Sequence, residues 1–488
     1  MNDARALEIL QRVEAFATTQ RQTWYVVGGA IRDHLLRRQP VKPNIDLAVP
    51  AHAVAMAEAL ARNLEGTCVP LDEAFGTARV VVSLGSDDHL ELDLAEFRGP
   101  TIEDDLRRRD FTINAMAARL SDWIRNPKTP SPILDPLGGQ QALAKKQLIP
   151  CFPGTFQDDP LRILRAARFV AQLGMALHPE ASPMIRDAAP QLQNISGERI
   201  RDELIFAFST PAAHIAASLL NDLRVLDVLV PELVLGRGVD QGTYHHLDVL
   251  SHQLEAVAQA DRFLTDFAEF SEPLRAPLTT YCAESLVEGR PRHALIKFSS
   301  LFHDIGKPMK RTVEPDGEVW FIGHEHAGAE LMPAILERLR FSTRESQMIT
   351  ELVRQHLRPG FLSREPQLTR RAVYRFYKDL GHHGPACLLL WWADRMATRG
   401  PKSRTDQIDL QRRFVEEMLN AYFFKAEEVV KPPRLLDGVQ LMKALTLPPG
   451  PLIGDLLEVI EEAQAEGRIH TSEEALALAK DALKHSHE

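Results

Sequence analysis

The sequence predicts an α+β protein, with a small α/β head followed by an all-α remainder. Two observations lead there. Up to about residue 100, short β-rich runs alternate with helical stretches; from about residue 104 the apolar spacing is helical almost throughout. The length of 488 residues suits roughly three domains at about 150 residues each. An apolar share of 44% is ordinary for a chain that packs cores.

The elements follow in chain order. The opening MNDARALEILQRVEAF scatters charge through its length, so it reads as an amphipathic helix and not as a signal peptide. Residues 24–27 read as a strand, Gly28 and Gly29 as a turn, and 30–38 as a helix. A strand at 45–49 and a helix at 51–64 come next, then strands at 78–84 and 89–97. The last alternates, with Leu90, Leu92 and Leu94 on one face and Glu91 and Asp93 on the other. Beyond residue 104, Gly138 with Gly139 and the stretch from Pro150 to Pro153 mark loops. Asp159 and Pro160 begin a helix, with proline suited to its first turn. Residues 270–292, interrupted by Pro273, Pro277 and Pro291, read as an insertion or long loop, and Pro432 with Pro433 sets off a helical tail.

No apolar run reaches the ~18 residues of a membrane span, which predicts no membrane association. The four cysteines, Cys68, Cys151, Cys282 and Cys387, are widely spaced and form no CxxC. That spacing argues against a disulfide framework or a cysteine zinc site and for a reducing cytoplasm. The net charge is -10, which counts against strong non-specific RNA binding. Basic residues nevertheless cluster at Arg107–Arg109, Lys145–Lys146, Arg162/Arg165/Arg168 and Arg199/Arg201. They are either solvated helix faces or a local basic groove on an acidic protein.

The first constellation with chemical content is Gly28-Gly29-Ala30-Ile31-Arg32-Asp33, between a strand and a helix. Paired glycines there let backbone N–H groups approach phosphates at a helix N-terminus, and Arg32 can pair a triphosphate oxygen. Asn44 and Asp46 stand two apart on the next strand, hence on one face. With Asp93 on a later strand they can hold divalent metal beside a triphosphate, the usual arrangement for nucleotidyl transfer. In the run DLRRRDFTINAMA from Asp105 to Ala117, an apolar helix face is interrupted by Arg109, Asp110 and Asn114. Arg109 can contact the nucleotide, and Asp110 and Asn114 can order the site.

In order, GGAIRD, RRDFTINAMA, DPLGG, DDPLRILRAARF and SGERIRDE resemble the motifs of the class II tRNA nucleotidyltransferase and bacterial poly(A) polymerase family, over residues 24–205. The resemblance implies transfer of CMP or AMP from CTP or ATP to a tRNA 3′ end with Mg2+. It implies nucleotide contacts at Gly28, Gly29, Arg32, Arg109, Asn114, Asp159, Arg162, Arg165 and Arg168, metal at Asn44, Asp46 and Asp93, and catalytic roles for Asp46, Asp93 and Asp110. It further implies that Asp159 and Arg162, three apart on a helix, act as a protein template for the base. A carboxylate accepts from the exocyclic amine of cytosine or adenine and a guanidinium donates to the ring nitrogen; uracil and guanine present the reverse pattern. Without the surrounding motifs this would be an ordinary surface ion pair. There are two departures. Asp158 replaces a glutamate. Asn44 replaces a metal-holding aspartate, which predicts slow addition with a raised magnesium requirement, or none.

Thirteen of the 18 histidines follow residue 240. His252 in DVLSH, His303 and Asp304 in LFHDIGKP, His324 and His326 in GHEHAG, His356, and Asp394 form an ordered set. A mixed nitrogen and oxygen shell suits Mg2+, Mn2+ or Ni2+ and can activate a water. The set resembles the HD phosphohydrolase superfamily. That implies His252, His303, Asp304 and Asp394 as core ligands, with His324 and His356 extending the site toward a second metal. The tail, residues 448–475, resembles the C-terminal segment of bacterial CCA- and A-adding enzymes.

The expected division is a nucleotidyltransferase head at 1–145, a neck and body for RNA and nucleobase recognition at 146–235, an HD domain at 236–400 and a helical tail at 401–488. Alternatives are an HD-only phosphohydrolase with a degenerate head, an A-adding or poly(A) polymerase, and an RNA-binding module with both chemistries lost.

Overall fold

The computed structural model describes residues 3–38, 44–72, 76–85, 88–125, 132–403 and 405–485. The chain divides into two compact units, Met1–Ile195 and Ser196–Glu488.

The first unit is a mixed α/β fold, as the alternation predicts. Its helices α1 (Asp3–Thr19), α2 (Gly29–Leu35) and α3 (Ala53–Leu64) accompany six strands: β1 (Tyr25–Val27), β2 (Asn44–Val49), β3 (Thr67–Asp72), β4 (Thr77–Gly85), β5 (Asp88–Glu96) and β6 (Ala117–Arg119). The strands form one sheet in the order β3-β4-β5-β2-β1-β6. Only β2 and β5 run parallel; the other pairs are antiparallel. Leu90, Leu92 and Leu94 are buried with Ala78, Val80 and Val82 of β4, and Ala57, Leu60 and Leu64 of α3 are buried in the same unit. That apolar face turns Glu91 and Asp93 to the other side. Two-residue periodicity thus places Glu91 and Asp93 opposite the core.

Two strands of this sheet, β3 and β6, escaped the sequence reading. β3 is an edge strand whose residues from Thr67 to Leu71 are exposed or half-buried, with Pro70 inside it. An edge strand with no buried face carries no alternation, and proline is tolerated there because one side of the ladder is unpaired.

The run from Asp105 to Ala117 is not one helix. Helix α4 (Ile102–Arg107) covers only its first three residues, Thr112–Asn114 form a single 3-10 turn, and the chain continues into β6. Asp110 to Ala118 are all buried. The segment pairs with 149–151, through Thr112 N to Ile149 O at 2.9 Å and Cys151 N to Asp110 O at 3.1 Å. A segment enclosed on every side loses its periodicity, and a short apolar run then cannot be told from a helix.

Helix α5 (Leu120–Arg125) follows β6, and DPLGG is the turn expected, leading into α6 (Gly139–Ala144). Asp135 accepts from the backbone N–H groups of Gly139 (2.6 Å) and Gln140 (3.0 Å), capping that helix. Gly139 cannot be larger, because a Cβ there would meet the Thr112 carbonyl oxygen at 2.3 Å.

Helix α7 (Thr155–Asp158) and helix α8 (Arg162–Leu173) flank Asp159, which is extended (φ −147°, ψ 98°). The expected helix start at Asp159 is therefore moved to Arg162. Pro160 forces the residue before it out of the helical region. The Asp159 carboxylate instead accepts from the Leu161 N–H at 3.2 Å, closing an Asx-type turn.

The second unit is largely helical. Residues 270–292 are not a loop. They hold helix Glu272–Ala283 and a hairpin of Ser285–Val287 with Arg290–Pro291. Pro273 falls in the first turn, where its missing N–H is harmless, and buried Leu274, Leu278 and Tyr281 carry the helix past Pro277. The tail forms helices Pro451–Ala465 and Ser472–His485 around a small core of its own. Among the described residues no helix is long and apolar enough to cross a membrane.

Candidate functional sites in the two units

In the first unit, the sheet register builds the site. Val27 pairs with Asp46, Asp46 with Asp93, and Asp93 with Arg79, so four adjacent strands share one row. Asn44 sits two residues back, level with Glu91. Gly28 has φ +67°, and a Cβ on it would lie 3.2 Å from Asp46 Oδ2 and 3.4 Å from Arg109 Nη1. The left-handed backbone and this close approach both call for glycine. Burial raises the Asp46 carboxyl above its ordinary value, with the Arg109 charge opposing and Asp93 assisting. Asn44 Nδ2 donates to Asp93 Oδ2 at 3.2 Å, and its Oδ1 is buried without a hydrogen-bond partner among the described residues. A hard cation suits that oxygen beside the Asp46 carboxylate.

The arginines expected to hold nucleotide converge through Asp110. Arg165 grips Asp110 Oδ2 through Nε (3.0 Å) and Nη2 (2.7 Å). Phe111 N donates to Oδ1 at 2.8 Å and Asn114 Nδ2 at 3.2 Å. Asn114 Oδ1 in turn accepts from Arg32 Nη1 at 2.8 Å. Burial alone would raise the Asp110 carboxyl, but the Arg165 charge and these hydrogen bonds outweigh it and hold it at about 2. Arg109 is held by Asp105 at 2.9 Å. The ring of Phe169 lies under the guanidiniums of Arg32 (5.2 Å), Arg165 (5.7 Å) and Arg168 (4.4 Å).

Arg162 is buried and donates to the carbonyls of Thr155 (3.3 Å), Arg108 (3.2 Å) and Arg109 (3.5 Å). It opens α8, whereas Asp159 precedes that helix; they are neighbours across a turn and not two positions on one helical face. Two residues that sequence reasoning passed over belong here. Arg98 Nη1 donates to the same Arg108 carbonyl at 3.3 Å. Arg79 forks onto Asp93; only its place opposite Asp93 across two antiparallel strands could have signalled it.

In the second unit, five helix segments bring the HD set together. His252 lies within Val249–Leu264, His303 caps Arg292–Phe302 with Asp304 next, and His324 opens His324–Arg338. His356 caps Thr343–Gln355, and Asp394 lies within Gly384–Ala397. His252, His303, Asp304, His324 and His356 are buried. His303, His324 and His356 each direct Nδ1 at the carbonyl three residues back, at 2.8, 2.7 and 2.7 Å. An Nδ1–H so engaged leaves Nε2 as the inward lone pair, the tautomer a metal takes. His252 Nε2 is 2.9 Å from Asp394 Oδ1, His303 Nε2 is 3.2 Å from Asp304 Oδ2, and His324 Nε2 is 3.0 Å from Asp304 Oδ1. His324 and His356 bring their Nε2 atoms to 3.3 Å. Two ligand groups result, His252/His303/Asp304 and Asp304/His324/His356, sharing Asp304. This is a plausible divalent-metal site.

Charge in the pocket asks for a cation. Burial would lower His303, but Asp304 and Asp394 raise it to about 10. Burial would raise Asp304, but His303 and Lys307 hold it well below the usual carboxylate range. Lys307, unremarked within LFHDIGKP, places Nζ 2.6 Å from Asp304 Oδ2 and 2.7 Å from Gln241 Oε1. His326, by contrast, points outward, its side chain 68% exposed.

Residues 24–149 match the Poly A polymerase head domain, 174–235 the probable RNA and SrmB-binding site of polymerase A, and 276–380 the HD domain. The chain is 36% identical to the A-adding tRNA nucleotidyltransferase of Deinococcus radiodurans, over 93% of this chain and 94% of that one. It is 32% identical to the CC-adding tRNA nucleotidyltransferase of Thermus thermophilus, over 93% and 92%. Among solved structures, a CCA-adding enzyme in complex with ATP has a TM-score of 0.64 at 22% identity, covering 98% of this chain and 96% of that chain. The Thermotoga maritima CCA-adding enzyme complexed with tRNA has a TM-score of 0.60 at 22% identity, over 96% and 93%.

The buried Asp110 makes a stability prediction. Asp110→Asn removes one carboxylate charge from the Arg165 guanidinium. The loss should be about 2–3 kcal/mol near neutral pH, below that for a fully sealed pair because the Arg165 side chain is 35% exposed. A carboxyl depressed from 3.8 to about 2 stabilises fully above the unfolded value and loses its contribution as pH falls through the folded one. In urea unfolding, the gap between parent and variant should therefore narrow as pH drops from 3.8 toward about 2. A gap independent of pH in that window would contradict the assignment.

Proposed function

The chain belongs to the class II CCA-adding and poly(A) polymerase family of nucleotidyltransferases, with an HD domain behind the head, and we propose that it transfers CMP or AMP from CTP or ATP to the 3′ end of tRNA. The observation carrying this reading is the meeting of Gly28, Asp46 and Arg109 beside the adjacent strands β1 and β2, with Asp93 on the next strand, β5. The division in this reading is a head at 1–145, a neck and body for RNA and nucleobase recognition at 146–235, an HD domain at 236–400 and a tail at 401–488.

In the head, Asp46 and Asp93, with the Asn44 amide oxygen, would hold Mg2+. A bound magnesium would polarise the phosphoryl oxygens and stabilise charge on the attacking and leaving oxygens. Gly28 and Gly29 leave room for the phosphates, and Arg32, Arg109 and Arg165 supply fixed positive charge, with Arg168 beside them on α8. Asp110 and Asn114 spend their polar atoms holding Arg165 and Arg32, so they order the site and do not react. Arg162, its plane set by three carbonyls, would donate to a ring nitrogen while Asp159 accepts from the exocyclic amine. Such preorganisation lets a base be read without reordering the reader.

The HD ligands His252, His303, Asp304 and Asp394, extended by His324 and His356, would hold Mg2+, Mn2+ or Ni2+ and hydrolyse phosphate esters. The mixed nitrogen and oxygen set supports any of the three.

Incubation with labelled CTP, ATP, UTP or GTP and tRNAs lacking the whole CCA end, lacking only the final A, or complete, tests the main reading. Incorporation of C or A but not U or G is expected, and none with any tRNA would refute it. Arg162→Ala should lose both rate and discrimination against UTP and GTP; a variant as selective as its parent would remove the template role. Asn44→Asp restores a charge that an amide cannot supply. It should speed addition about tenfold or more, given that even outer contacts of a metal site are worth about 10–100-fold. A variant no faster than its parent contradicts this. His303→Ala with Asp304→Ala should abolish hydrolysis of 2′,3′-cyclic or simple phosphate esters while leaving addition intact, and unchanged hydrolysis would exclude the HD site.

A further inference from the structure

Arg79 occupies a place that the reading above leaves without a role. It lies on β4 directly opposite Asp93 in the antiparallel register, one strand beyond the Asp46–Asp93 pair. Its guanidinium forks onto both oxygens of that carboxylate, Nε to Oδ1 at 2.7 Å and Nη2 to Oδ2 at 2.9 Å. Nη1 reaches Glu91 Oε2 at 2.7 Å. Asn44 Nδ2 adds a further donor to Asp93 Oδ2 at 3.2 Å. Both Asp93 oxygens thus already face cationic or N–H donors. A side-on guanidinium fork is among the stronger carboxylate partners available in proteins.

The charge count follows. Asp46 brings one negative charge and Asn44 none. The charge of Asp93 is offset by Arg79, which Glu91 shares. A divalent cation arriving alone meets the Asp46 carboxylate, already close to the Arg109 guanidinium, and the Arg79 guanidinium beyond Asp93. The Arg79 side chain is 30% exposed, so it is solvated enough to leave for a stronger anion. A nucleoside triphosphate is such an anion, and it brings its own oxygens to the cation.

We infer that Arg79 is a positioning residue that withholds Asp93 from the cation until a nucleoside triphosphate draws the guanidinium away, so that the head acquires its metal together with the nucleotide. This rests on the reading that the head holds its divalent cation at Asp46.

The test measures Mn2+ binding by electron paramagnetic resonance, without nucleotide, in the full chain carrying His303→Gln and Asp304→Asn to disable the HD ligands. Arg79→Gln should tighten Mn2+ binding by about tenfold or more, because a unit positive charge a few ångströms from the cation is removed. Arg79→Lys, which keeps the charge, should bind as weakly as the parent. A residue needed only to support the sheet would give the opposite sign, since its loss would weaken binding. Arg79→Gln binding no tighter than the parent overturns the inference. Asp46→Asn, added to Arg79→Gln, should abolish the gain. If the gain survives, the cation does not sit at Asp46, and the underlying reading fails with it.

Discussion

Asp110 and Arg165 meet at 2.7 Å with Asp110 almost sealed from water, and the geometry of the head depends on that contact. A buried ion pair contributes little net stability, because desolvating two charges offsets most of their attraction. What it fixes is position. With Arg165 on one oxygen, Asp110 uses its other for the Phe111 N–H and the Asn114 amide. Asn114 is thereby oriented to hold Arg32. One carboxylate thus ties the first helix after the glycine turn, the buried stretch leading into β6, and α8. Phe169, under three guanidiniums, keeps their hydrocarbon stems close while the charges stay apart.

The two sites differ in how they manage charge. In the HD pocket the ligands are buried except for half-buried Asp394, and two carboxylates among four histidines raise His303 to about 10, so the pocket draws positive charge. Such a pocket suits a resident metal. The head is poorer. Asn44 is neutral, Asp93 is engaged by Arg79, and burial raises the Asp46 carboxyl above its ordinary value. A site so short of negative charge suits a cation that arrives with a triphosphate. In the proposed reading Asn44 and Arg79 act in the same direction, which would make the asparagine more than a lost ligand.

Much of this was legible in the chain. The alternation of Leu90, Leu92 and Leu94 placed Asp93 on the open face. The spacing of Asn44 and Asp46 put them side by side, and the ordered histidines and aspartates of the HD set converge as their order suggested. What could not be read has identifiable causes. The buried stretch from Asp110 to Ala118 has no exposed face to give a period. Pro160 moves the helix start from Asp159 to Arg162, a constraint that looks locally like a first-turn proline. The prolines at 273 and 277 mimic a loop where burial of Leu274 and Leu278 sustains a helix. Arg79 and Arg98 act through pairing across strands or onto a carbonyl distant in sequence, which no linear spacing reports.

In the proposed reading the protein carries two separate divalent-metal sites, one permanently disposed to bind and one completed by nucleotide. Anomalous diffraction from crystals soaked in Mn2+, with and without an unreactive CTP analogue, addresses it most directly. Manganese is expected at the His252, His303, Asp304 and Asp394 cluster in both crystals, and beside Asp46 only when the analogue is present, with Arg79 then released from Asp93. Strong manganese bridging Asp46 and Asp93 without nucleotide, or none at Asp46 even with it, would contradict the account.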